Sequence, residues 1–265
     1  MQRAAALVSK VLRIAFSTLV LCAPVLSQSN PTSSSASTND PDRAVSIKRF
    51  PENLLADQKK IWLCPVSLAH GQHLLPAVSI VGVTSAFIAT DPHSAPPFRT
   101  TTDFHDFNKA FSGTNTSAMI AGVPAAIYAV GFLRKDSYAV SSALLAAEAF
   151  ADGYLLDLPM KAVTARRQPL SYSGDGPYAG SFFNGSHNPF RSGGFYSGHA
   201  VGAMAVATVI AHRYRAHRWV PFLAYGLAGT VSFSRITTNN HFPGDVVFGG
   251  AMGFLIARYV VLPPH

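Results

Sequence analysis

The chain has 265 residues, of which 48% are hydrophobic and only 13% charged, and it carries a formal charge of +8. Globular domains hold about 25% charged residues, so the deficit brings a membrane class into play, and the length suits one sizeable core. The basic excess fits an anionic substrate or a lipid surface, whereas no aromatic-interleaved basic patch supports nucleic acid, which is set aside as a partner. Two cysteines, Cys22 and Cys64, make no disulfide framework.

Residues 1–28 read as a signal peptide. Arg3, Lys10 and Arg13 form its basic region, Ile14 to Leu26 its apolar core, and Ala23, Ser27 and Ser29 offer small residues near a cut. The competing reading is an uncleaved anchor helix. Residues 29–45, rich in Ser, Thr, Asn and Asp, form a disordered linker. Residues 46–73 carry charges among Leu54, Leu55, Ile61, Trp62 and Leu63, the pattern of an amphipathic surface segment.

Residues 74–262 then form the main body. Helical segments are predicted over 74–90, 117–133, 138–157, 198–214, 219–234 and 245–262, each apolar and rich in Ala, Gly and Ser. Small residues let helices approach closely, as membrane bundles require. The expected fold is therefore all-α: a six-helix bundle, membrane-embedded, with a buried soluble bundle as the alternative. Arg134 and Lys135, and then Arg213, Arg215 and Arg218, place positive charge in two connections. The positive-inside rule puts both in the cytoplasm, while six spans after a cleaved signal put them outside. The two rules conflict.

Three stretches carry chemistry. In SRITTNNHFPGD, Ser234 to Asp245, His241 is a candidate nucleophile or base. Asp245, four residues on, can accept its ring N–H if a helix starts near Pro243, and Arg235 offers a planar fork to phosphate oxygens. In GGFYSGHA, Gly193 to Ala200, small residues before a helix leave N–H groups free for an anion, beside Ser197 and His199. In KAVTARRQP, Lys161 to Pro169, Lys161, Arg166 and Arg167 concentrate positive charge. Each stretch also has a plain reading: a capped helix start, a Gly/Ser loop, a solvated basic run. Glu148 and Asp152, spaced to share one helix face, read as carboxylates paired with a basic side chain of the bundle, with a buried proton relay as the alternative.

The order of the three motifs resembles the type-2 phosphatidic acid phosphatase and vanadium haloperoxidase superfamily, over about residues 75–262. The resemblance implies a helical bundle with the active site at the helix ends and needing neither metal nor cofactor. It makes His241 the phosphohistidine, Asp245 its orienting partner and His199 the general acid. Lys161, Arg235, Ser197 and the backbone of Gly198 become phosphate-binding. Two positions depart from the pattern. Tyr196 stands where the second motif has Pro, and Gln168 where the first has Arg; Arg166 and Arg167 are candidate substitutes beside Gln168. The implied substrates are phosphorylated lipids or pyrophosphates, or small phosphoesters, with membrane lipids as neighbours. The implied location is the cell envelope, an inner membrane with a periplasm-facing site or alternatively a soluble periplasmic form. The rival readings are a non-catalytic membrane protein of the same fold and, within the superfamily, a haloperoxidase.

Overall fold

The computed structural model describes residues 45–71, 74–173, 178–188, 190 and 194–262. The signal peptide and almost all of the linker expected above lie outside the described residues. Nine α-helices and no strand occur among those described. Helix α1 is Phe50–Ala69 and α2 is Leu74–Ser94. Two short helices that the apolar pattern does not announce follow, α3 at Pro96–Thr100 and α4 at His105–Ala110. Then come α5 (Gly113–Arg134), α6 (Ser137–Thr164), α7 (Gly198–Arg213), α8 (Trp219–Thr237) and α9 (Pro243–Leu255), the last loosening into a π-helical turn over Ile256–Val261.

Local chemistry sets these boundaries. Ser112, Asp136 and Ser197 cap α5, α6 and α7 by accepting N–H bonds from Asn115, Ala139 and Ala200. Pro243 opens α9 at its first helical position. Helix α6 runs seven residues past the expected end at residue 157, through Pro159, so the first basic residue of its motif, Lys161, lies on the helix itself.

Helix α7 is the axis of the bundle. Ala200, Val201, Ala205, Val206, Val209 and Ile210 are all buried, with α6, α8 and α9 packed around them. Close approach of α9 needs glycine: a Cβ on Gly249 would stand 2.8 Å from the Ser197 carbonyl, and one on Gly253 would collide with the Val201 carbonyl. Helix α1 lies along α6. Its Asn53 and Gln58 amides donate to Glu148 and Asp152 at 2.8 and 2.9 Å, which is how those two fully buried carboxylates meet the surface helix.

Among the described residues, three helical stretches are long and apolar enough to cross a membrane: Gly113–Arg134, Ser137–Ser171 and Pro243–Val261. The basic connections lie at one end of the bundle, where Arg213 donates to the Ser141 and Ser142 hydroxyls at the start of α6. The three chemical motifs gather at the opposite end.

Candidate active site

After α8 the chain turns back on itself, so that the N–H groups of Asn240 and His241 both reach the Arg235 carbonyl at 3.2 Å. Asn239 takes a left-handed conformation there, with φ 57°, and its amide donates to the Phe98 carbonyl at 3.0 Å. This turn sets His241 one helical turn before Asp245. The ring is 5% exposed. Its Nδ1 lies 3.6 Å from Asp245 Oδ2, longer than a hydrogen bond but close enough that a shift of a few tenths of an ångström closes it. Nδ1 has no hydrogen bond among the described residues. Asp245 Oδ2 also accepts the Phe242 N–H at 3.0 Å, and the N-terminus of α9 favours the anion.

Lys161, near the end of α6, places Nζ 2.7 Å from Asp157 Oδ2 one turn earlier. Gly198 begins α7 directly over this pair: a Cβ there would stand 2.7 Å from the same carboxylate oxygen and 3.6 Å from Lys161 Nζ. Only a hydrogen at that position lets the first turn of α7 come so near an ammonium. Ser197 is fully buried and its N–H donates to the Asp245 carbonyl at 3.2 Å, joining the second motif to the third. Tyr196, in place of the pattern's Pro, is a buried anchor against Phe248.

His199, next on α7, has Nε2 3.1 Å from the Gly113 carbonyl and 3.0 Å from Ser117 Oγ. Burial, then the charges of Arg235, His241 and Lys161, lower its pKa to about 4, against the upward pull of the Gly113 bond. The ring is therefore neutral at neutral pH. Arg235 is completely buried, and burial lowers it to about 10, still a cation. Its Nε donates to Ser234 Oγ at 3.1 Å, and Nη2 donates to the same oxygen and to the Phe111 carbonyl. Nη1, by contrast, makes no hydrogen bond among the described residues; it faces the Gly113 backbone that also holds His199. Mutual electrostatic influence links His199 with Arg235, His241 and Lys161, and Asp157 with His241 and Asp245. These six groups form one cluster.

The three residues at the Gln168 departure sit differently. Arg166 is buried with all three guanidinium nitrogens bonded to protein, on Ser181, Asp245 and Asp91. Arg167 stacks over the Tyr172 ring at 4.3 Å and donates to the Ser171 carbonyl. Both arginines, with Gln168, Ser171, Asn184, Gly185 and Ser186, line a polar cavity of about 410 Å³. None of His241, His199, Lys161 or Arg235 lines it.

Asp91, Phe111, Gly113, Ser117 and Asp157 are the members of the site that the motifs do not announce. Asp157 is legible in hindsight from its i, i+4 spacing to Lys161; the other four reach the site only through the fold. No group of three or more metal-binding side chains occurs among the described residues. Residues 138–263 match the family model of the PAP2 superfamily, and all three motifs lie inside that stretch. No curated protein and no solved structure matches the chain.

Proposed function

We propose, from the premise that residues 138–263 belong to the PAP2 superfamily and so bring a phosphatase-type activity, that this chain hydrolyses lipid phosphates or pyrophosphates through a phosphohistidine on His241. The observation that carries the reading is Arg235 Nη1: a fully buried guanidinium nitrogen without a partner among the described residues, beside His199. A buried cation left unsatisfied is costly, and a phosphate oxygen relieves that cost.

The arrangement of the cluster supports the following steps. Arg235, Lys161, the Gly198 N–H and Ser197 hold the equatorial oxygens of the phosphoryl group, where charge must be stabilised. His241 Nε2 attacks phosphorus, and Asp245 closes on Nδ1–H as the ring becomes cationic. His199 takes up a proton as the phosphate's charge beside it raises its pKa, and gives that proton to the leaving oxygen. The same ring then takes a proton from water, which attacks the phosphohistidine and frees both phosphate and His241.

Two features favour an envelope location and a lipid substrate. The basic connections lie at the end opposite the cluster, so the positive-inside rule turns the cluster outward. At the cluster's own end the connection after α6 exposes Leu170, Phe183 and Phe190, at 50%, 70% and 79%, apolar surface suited to acyl or isoprenyl chains. The test is phosphate release by purified protein in chelator, from a lipid phosphate and from a soluble ester. Turnover of the lipid phosphate is expected, with an acid-labile phosphoenzyme lost in His241→Ala. Turnover of the soluble ester alone would overturn the lipid assignment. Absence of any phosphoenzyme would overturn the mechanism.

A further inference from the structure

Arg166 lies in a position that no phosphate-binding role requires. Its side chain is 1% exposed. Nε donates to Ser181 Oγ at 3.0 Å, Nη1 to Asp245 Oδ1 at 2.5 Å and Nη2 to Asp91 Oδ2 at 2.6 Å. The guanidinium carbon also lies over the Phe182 and Phe242 rings, at 4.4 and 4.5 Å from their centroids. Asp91, near the end of α2, is equally buried, and its other oxygen accepts the Gly244 N–H at 3.1 Å. One carboxylate therefore grips both the arginine that holds Asp245 and the helical turn that carries Asp245.

We propose that Asp91 and Arg166 are positioning residues for the Asp245–His241 pair. The proposal rests on the phosphohistidine reading above and deepens it. With Oδ1 fixed by Arg166 and Oδ2 fixed by the Phe242 N–H, the Asp245 carboxylate has a single orientation, the one facing His241 Nδ1. Charge explains why two acids are present. Arg166 and Asp245 alone would be a neutral pair, with little attraction for the imidazolium that forms on phosphoryl transfer. Burial pushes the Asp91 carboxyl up, against the pull of Arg166 and the Gly244 N–H; in its ionised form it brings the trio to a net charge of −1, which that cation balances. Asp91 lies outside the stretch that matches the superfamily model, so this chain supplies the second acid from its own N-terminal part.

The test uses the full chain and the variants Asp91→Asn, Arg166→Lys and Asp245→Asn, singly and combined. Asp91→Asn is expected to lower kcat by about 10- to 100-fold, as loss of an outer-shell partner does, with KM changed less than about twofold. In the Asp245→Asn background the same change should cost less than about threefold, because residues acting through one another are not additive. If a single variant fails to fold, the combined Asp91→Asn and Arg166→Met removes both buried charges together, a replacement that buried pairs tolerate better; the same loss of kcat is expected. A tenfold rise in KM with kcat preserved would overturn the proposal, since it would place Arg166 on the substrate. Multiplying losses would overturn it too.

A second readout needs no turnover: the ¹⁵N spectrum of the His241 imidazole. Asp91→Asn should shift its Nδ1 signal, and an unchanged signal in a folded variant sinks the proposal. Should His241→Ala leave turnover intact, the phosphohistidine reading falls, while this spectrum still decides whether Asp91 and Arg166 position the ring.

Discussion

Lys161 Nζ stands 2.7 Å from Asp157 Oδ2, with the first turn of α7 laid across the pair at Gly198. The ammonium assigned to phosphate is thus already shared with a fully buried carboxylate. Asp157 orients Lys161, and its negative charge opposes any anion that enters. Replacing Asp157 with Asn should tighten inhibition by inorganic phosphate about tenfold, equivalent to roughly 1.4 kcal/mol. Product inhibition measured at fixed pH reads this directly. Weaker phosphate binding in the variant would mean that the carboxylate's orienting role outweighs its repulsion.

Gly198 packs closely against the Lys161–Asp157 pair. Gly198→Ala would put a methyl 2.7 Å from Asp157 Oδ2, so either the carboxylate or the start of α7 must move. A displacement near 1 Å in a positioned group can cost about 100-fold. The expected result is a fall of that order in kcat/KM with little change in melting temperature. A variant with unchanged kcat/KM would show that the Gly198 N–H does not serve the phosphate.

His199 gives the pH dependence a sign. Its pKa lies near 4 because burial and Arg235 disfavour the cation. A bound phosphate adds negative charge beside it and pushes the value back up. The alkaline limb of kcat should therefore lie at higher pH than that of kcat/KM, which reports the free protein. With an ester whose leaving group needs no proton, the alkaline limb set by His199 should vanish from both profiles. Stability follows the same residue. The folded value is below the ordinary 6.5, so this contribution is present above about pH 6.5 and fades as the pH falls through 4. Thermal melts in His199→Gln should lose part of that acid sensitivity.

Gln168 opens on a cavity lined by Arg166 and Arg167 but by none of the catalytic candidates. Gln168→Arg should therefore leave kcat/KM within about twofold, well short of the tenfold gain expected of a new charge-assisted bond to phosphate. Arg167→Ala should be as mild, costing the stack on Tyr172, about 0.5–1 kcal/mol at an exposed site. A large gain from Gln168→Arg would mean that this segment reaches the phosphate after all.

What could be read in order along the chain was local. The helical segments of the bundle, the cap at Ser197, Pro243 at the start of α9 and the one-turn spacing from His241 to Asp245 each depend on residues within about four positions. The motif order pointed to the superfamily whose model residues 138–263 match. Local reading stopped where a partner lies far away in sequence. Arg166 looks like any cation in a basic run, and its role depends on Asp91 and Asp245, 75 and 79 residues distant. Arg235 is held by the Phe111 carbonyl and His199 by Gly113 and Ser117, all from a stretch whose sequence has no motif. Helices α3 and α4 are too short for a periodic signal, and they form where the chain crosses the site end of the bundle. Hydrophobic periodicity specifies which face of a helix is buried. Which side chains meet at the helix ends is decided by how the helices pack, and at Gly249 and Gly253 that packing turns on the absence of a single carbon.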